Sequence, residues 1–187
     1  MRKIPEINQS VLINCVEKCL QNARELFDEA EILKKNKKYP RAYTLYHLSI
    51  EEIGKVFVIF KYLIQDNYSE ENSIKFNREF TDHKTKIKTS RNIEKIMLFL
   101  IQSELTEEQF NILTYSKEAI EKFNKFKNLS LYCFIDTKSV FKPSDIIGLE
   151  EVNLIKPNSE LRLKLSERFC RLAVKDIDKF ISLSKEK

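Results

Sequence analysis

Between residue 6 and about residue 37, apolar side chains recur at Leu12, Cys15 or Val16, Cys19, Ala23, Leu26, Ala30 and Leu33. That spacing is the period of an amphipathic helix. The run "KKNKKYP" ends it, and Pro40 suits the first turn of a second helix reaching about Gln65. After the polar break "DNYSEENS", a third helix carries "NREFTDHK" (77–84) and continues, with a kink near 89–92, through "IEKIMLFLIQ". "TEEQ" at 106–109 has capping-box form, with Thr106 reaching the third amide and Gln109 reaching back, so a fourth helix spans about 107–128. The stretch 129–157 mixes aromatic and β-branched residues with turn formers and reads as an extended excursion or short hairpin. "PNSE" then starts a last helix to about 184, with Leu161, Leu165, Phe169, Leu172, Ile177 and Phe180 on its buried side. The pattern predicts an all-α bundle of about five helices with one extended or hairpin insertion before the last.

Composition narrows this further. A chain of 187 residues favours a single domain, 1–187, and 42% hydrophobic residues with 13 Phe can build a core. Only two glycines and four prolines are present, which disfavours a many-stranded sandwich or barrel. With Gly54 and Gly148 alone, neither a phosphate-cradling loop nor a dinucleotide fingerprint can be written. No serine sits in a G-x-S-x-G elbow.

Cys15, Cys19, Cys133 and Cys170 form no C-x-x-C pair, so they read as reduced thiols of a cytoplasmic protein. Polar residues interrupt the apolar runs of the N-terminus, and "VFVIFKYLI" (56–64) is too short to cross a bilayer, so neither a signal peptide nor a membrane contact is expected. The net charge of +5, from 33 basic and 28 acidic residues, permits contact with an anionic polymer without demanding it.

One carboxylate stands in the wrong place. On the second helix Leu45, Leu48, Ile53, Val56, Ile59, Phe60 and Leu63 form an apolar sector, and Glu52 projects into it between Leu48 and Val56. Burial requires a cation or several hydrogen bonds. The expected partner comes from another helix, with Arg78 or the lysines after it nearest in reach; the plainer alternative leaves Glu52 wet at the edge or in a structural ion pair. His47, Glu51, Gly54, Lys55 and Lys61 fall opposite the sector, where Glu51 and Lys55 make an ordinary i, i+4 surface pair.

"NREFTDHK" admits two readings. Arg78 with Asp82, and Glu79 with His83, match i, i+4 ion pairs of a solvated helix. Alternatively, the His83 imidazole takes a proton from a ribose 2′-hydroxyl while Arg78 grips the phosphate, and Lys84, Lys86 and Lys88 attract the RNA backbone. No metal or cofactor is expected: E-x-x-H would need Glu at positions held by Thr44 and Phe80. "RAYTLYH" offers a competing pair, Arg41 and His47, although His47 falls on the polar side and a surface role suits it better.

"AYTLYHLSIEEIGKVFVIF", a downstream "DHKTK" and the later "LYCFIDTKSVFKP" together resemble the abortive-infection AbiV family of the HEPN superfamily, over roughly residues 10–145. The family signature falls on Glu51, Glu52, Gly54, Lys55, His83, Lys84, Leu131 and Tyr132; where the family has "LYVD" this chain reads "LYCFID", so Asp136 is displaced by two. The resemblance implies a HEPN-like helical bundle and a phage-defence toxin, a metal-independent endoribonuclease that blocks translation in infected cells. Arg78 and His83 map onto the superfamily's catalytic pair, with Glu51, Glu52, Lys55 and Tyr132 supporting the site. It further implies a homodimer with both Arg–His sets in one cleft and products ending in a 2′,3′-cyclic phosphate and a 5′-hydroxyl. A toxin must be restrained in healthy cells, so a phage-encoded activator or inhibitor is expected, and 129–157 is either the regulated surface or a structural flap. The alternative is a non-catalytic helical protein that arrests translation or senses phage by binding protein or RNA. A third possibility is an inert module that binds nucleotides.

Overall fold

The computed structural model describes residues 8–65, 69–81, 105–113 and 117–185. They form α1 (Gln9–Lys35), α2 (Tyr39–Gln65), α3 (Glu70–Thr81), α4 (Glu107–Leu113), α5 (Lys117–Leu131), β1 (Phe134–Ile135), β2 (Val140–Phe141), α6 (Pro143–Ile146), α7 (Leu149–Lys175) and α8 (Ile177–Lys185). The fold is all-α with a single small hairpin among the described residues, as the hydrophobic period predicts. None of the described helices is long and apolar enough to cross a membrane.

α1 begins where the Asn8 side chain accepts the Ser10 amide at 3.0 Å, a cap for an orphan donor. It ends at Lys37, whose φ of 58° reverses the chain while Lys38 N–H donates to Leu33 C=O at 2.9 Å. Thr106 and Gln109 form the expected capping box, Gln109 N–H to Thr106 Oγ1 at 3.2 Å and Thr106 N–H to Gln109 Oε1 at 3.1 Å.

α2 is the axis of the fold. Of its 27 residues 16 are buried, because α1 and α7 cover one side, α5 another, and α3 and α8 its C-terminal half. α1 fits closely, and Ser49 donates to the Ala23 carbonyl at 2.8 Å. One core cluster gathers Phe27, Tyr43, Tyr46, Phe57, Ile155 and Leu163; a second gathers Leu12, Val16, Phe60, Leu63 and Phe76. Arg24 and Glu167 clamp α1 to α7 through contacts of 2.7 to 3.0 Å.

Several boundaries differ from expectation, among them the end of α5 at Leu131 and a break at Asp176 that divides the last helix into α7 and α8. The last long helix starts at Leu149, not at "PNSE", so Pro157 lies inside it and the irregular stretch shrinks to 132–148. The true start is capped by Glu151, which accepts the Gly148 amide at 2.8 Å. The buried stripe of α7 is also different: Val152, Ile155, Ser159, Leu163, Ser166, Cys170 and Ala173 face the core, while Leu172 is exposed. Small side chains let α7 lie close to its neighbours, and a polarity pattern scores serine as surface.

Candidate functional site

α3 packs against the C-terminal half of α2 through Tyr62 and Phe76, whose rings lie 4.6 Å apart. Lys61 locks the register, donating to both Glu79 oxygens at 3.0 and 2.8 Å. Glu79, read from sequence as a partner of His83, is thus buried against α2. This orientation turns Arg78 out to solvent in the last turn of α3. The rest of the expected catalytic and RNA-holding set, His83, Lys84, Lys86 and Lys88, lies outside the described residues, as does Asp82.

The same turn of α3 meets Lys55 of α2. Lys55 lies over the Phe80 ring at 5.4 Å and pairs with Glu52. Glu52 is largely buried, as its place in the apolar sector requires, but its cation comes from its own helix and not from Arg78. Lys55 reaches it across one turn, and the ammonium keeps its stem on an aromatic face.

Cys15 of α1 completes this corner. Its thiol is lowered to about 7, chiefly by the Cys19 hydrogen bond, with burial opposing and the Lys55 charge assisting. The Cys19 thiol is pushed up by that bond and by burial. Partly exposed, Cys15 carries a thiol poised to ionise near neutrality; burial alone carries Cys170 up to about 12.

A second constellation fills the contact between α2 and α5. His47 and Glu51, expected on the surface, are only 2% and 3% exposed. Lys127 donates to Glu51 Oε1 at 3.0 Å, and His47 Nδ1 lies 3.4 Å from that oxygen. One α5 turn later Ser130 is 2.6 Å from the Thr44 hydroxyl and donates to the Lys127 carbonyl at 2.6 Å. The polar side of α2 is buried because α5 covers it with cognate polar groups. Glu51 therefore does not pair with Lys55.

The members of the competing pair are separated by burial: His47 is sealed beside a carboxylate, whereas Arg41 is exposed to solvent. Tyr132 stands 67% exposed just past the end of α5. The network thus joins two stretches that the sequence singles out: Glu51 on α2 holds, through Lys127, the helix that ends at Leu131, one residue before Tyr132. Sequence reasoning missed Lys127, Thr44 and Ser130. A signal existed, since Phe123, Lys127 and Ser130 follow helical spacing and put a cation on the covered face of α5.

The family model of the HEPN proteins described as AbiV matches residues 11–161. The chain belongs to the AbiV family. Its membership places it among abortive-infection, phage-defence proteins of the HEPN type. No curated protein and no solved structure matches the chain. The match spans α1 through the first half of α7, so both constellations of this AbiV protein lie within the shared region.

Proposed function

We propose that this AbiV protein is a metal-independent endoribonuclease toxin that stops translation in the infected cell's cytoplasm. Arg78 and His83 are its catalytic residues. His83 removes the 2′-hydroxyl proton, the 2′-oxygen attacks the adjacent phosphorus, and the 5′-oxygen leaves with a proton, giving a 2′,3′-cyclic phosphate and a 5′-hydroxyl. Arg78 binds the phosphate oxygens as charge builds on them. Lys84, Lys86 and Lys88 hold the backbone. A second protomer supplies the other half of the cleft, and a phage-encoded protein switches activity.

The observation that carries this reading is the exposure of Arg78 on a helix turn fixed against the Glu52–Lys55 pair. A guanidinium on a helix turn packed against α2 and open to solvent can receive a phosphate, whereas the competing histidine, His47, is sealed in the core.

The test is incubation of purified wild-type, Arg78→Ala and His83→Ala proteins with total RNA in EDTA. Wild-type protein alone should cut, leaving cyclic phosphate ends. Cleavage by folded His83→Ala protein, or dependence on a metal, overturns the proposal. So does intact RNA in cells that the wild-type protein still kills.

A further inference from the structure

Residues 132–140 are exposed without interruption, yet the hairpin they build is largely apolar. Tyr132 is 67%, Phe134 46%, Ile135 73% and Val140 69% exposed. The ladder pairs Phe134 with Phe141 and Ile135 with Val140. Asp136 N–H donates to Ser139 C=O at 3.0 Å, and Asp136 Oδ1 accepts the Lys138 amide at 2.7 Å, which sets the turn.

A two-stranded hairpin is marginal in water by itself. Here its root is secured on both sides. Ser130, fully buried, ties the end of α5 to Thr44, and Asp145 accepts the Lys142 amide at 3.0 Å beyond β2. An apolar projection anchored by a buried polar network exposes surface that the monomer does not cover.

The chemistry around it selects the occupant. Lys125, Asn128 and Tyr132 are exposed at spacings of three and four, so one face of α5 runs straight into the hairpin. Lys138 in the turn and Lys142 after β2 are also exposed. The only acid within 132–142 is Asp136, which serves as a turn acceptor. Exposed rings flanked along the chain by cations and an amide suit a flexible polyanion with stackable bases. Buried in an apolar protein interface, the same lysines would lose hydration without repayment in opposite charge.

We propose that this hairpin, with Lys125 and Asn128 of α5, is a docking platform for single-stranded RNA on which Tyr132 and Phe134 stack against bases. RNA as the ligand rests on the ribonuclease reading, but the platform is measured apart from cleavage. Lys125, Lys138 and Lys142 meet phosphates, and Asn128 meets a base edge or sugar.

The experiment uses full-length His83→Ala protein in EDTA, with a short fluorescein-labelled single-stranded RNA and its duplex as probes in fluorescence anisotropy. The single strand should bind more tightly than the duplex. Tyr132→Leu and Phe134→Leu, which keep apolar bulk but remove the ring, should each weaken binding by roughly tenfold. Tyr132→Phe should bind like its parent. Lys138→Gln and Lys142→Gln should each lower the slope of log affinity on log salt by about 0.7.

Unchanged affinity in the leucine variants, equal affinity for duplex, or no binding of the single strand overturns the platform. So does a leucine variant whose sedimentation shows a lost oligomer, which would make the hairpin a protein interface. Wild-type cleavage is scored separately. Intact stacking-dependent binding without cleavage sinks the ribonuclease reading alone, and cleavage with ring-independent binding sinks the platform alone.

Discussion

Lys127 Nζ donates to Glu51 Oε1 at 3.0 Å, and both side chains are buried where α5 crosses α2. A buried carboxylate stripped of its cation keeps its desolvation cost. Lys127→Met should therefore lower stability by about 3–5 kcal/mol. Adding Glu51→Gln should recover much of that loss. Urea unfolding of the wild type, both single variants and the double variant measures the coupling; a Lys127→Met midpoint equal to wild type contradicts the pairing.

His47 shares that carboxylate and is closed to solvent. His47→Gln should reduce stability yet leave RNA cleavage per folded molecule within a few-fold of wild type, while His83→Ala abolishes it. Cleavage rates normalised to folded fraction by circular dichroism compare the two. Loss of cleavage in folded His47→Gln protein would mean that the buried network governs the chemistry.

The corner of α1, α2 and α3 has its own pH signature. Cys15, with its thiol lowered to about 7, should alkylate with iodoacetamide at a rate that climbs between about pH 6 and 8. Cys19 and Cys170, both buried with raised thiols, should stay unmodified in the native protein. Lys55→Met removes a nearby positive charge and should move the Cys15 midpoint upward. Site-resolved mass spectrometry reads all three, and a Cys15 midpoint near an ordinary thiol's refutes the assignment.

Glu31 should contribute to acid sensitivity. Burial disfavours its charge, but hydrogen bonds from Lys156 and Tyr46 and the Lys156 and Lys34 charges prevail, leaving its carboxyl below the ordinary 4.5. A carboxyl lower in the folded state than in the unfolded one stabilises the fold above the unfolded value and loses that contribution as pH falls through the folded one. Wild-type stability should thus decline below about pH 4.5, and Glu31→Gln should flatten part of the decline. Urea unfolding across acidic pH tests it; identical pH slopes in the two proteins would refute it.

Much of the site was legible because charge on an apolar stripe is conspicuous. Glu52 stood out for that reason, and its burial follows from the sector it occupies. Its partner was not legible, since reaching Lys55 depends on a rotamer and on Phe80 lying beneath the ammonium. His47 and Glu51 were misplaced because a helix with one apolar sector was expected to have one wet side. Lys127 and Ser130, some eighty residues away, supply the polar lining that lets that side be covered.

By itself the sequence determined that the chain is helical, where α1 and α2 divide, that Thr106 caps α4, and which family the chain joins. These are matters of local period, capping chemistry and motif, each settled within a few residues. Only the tertiary structure decided that α2 is enclosed on nearly every side, that His47 is locked in the core while Arg78 faces solvent, and that the Tyr132 hairpin projects from a buried anchor. Burial depends on which other helix arrives at a given face, and no periodicity within one helix encodes the identity of its neighbour.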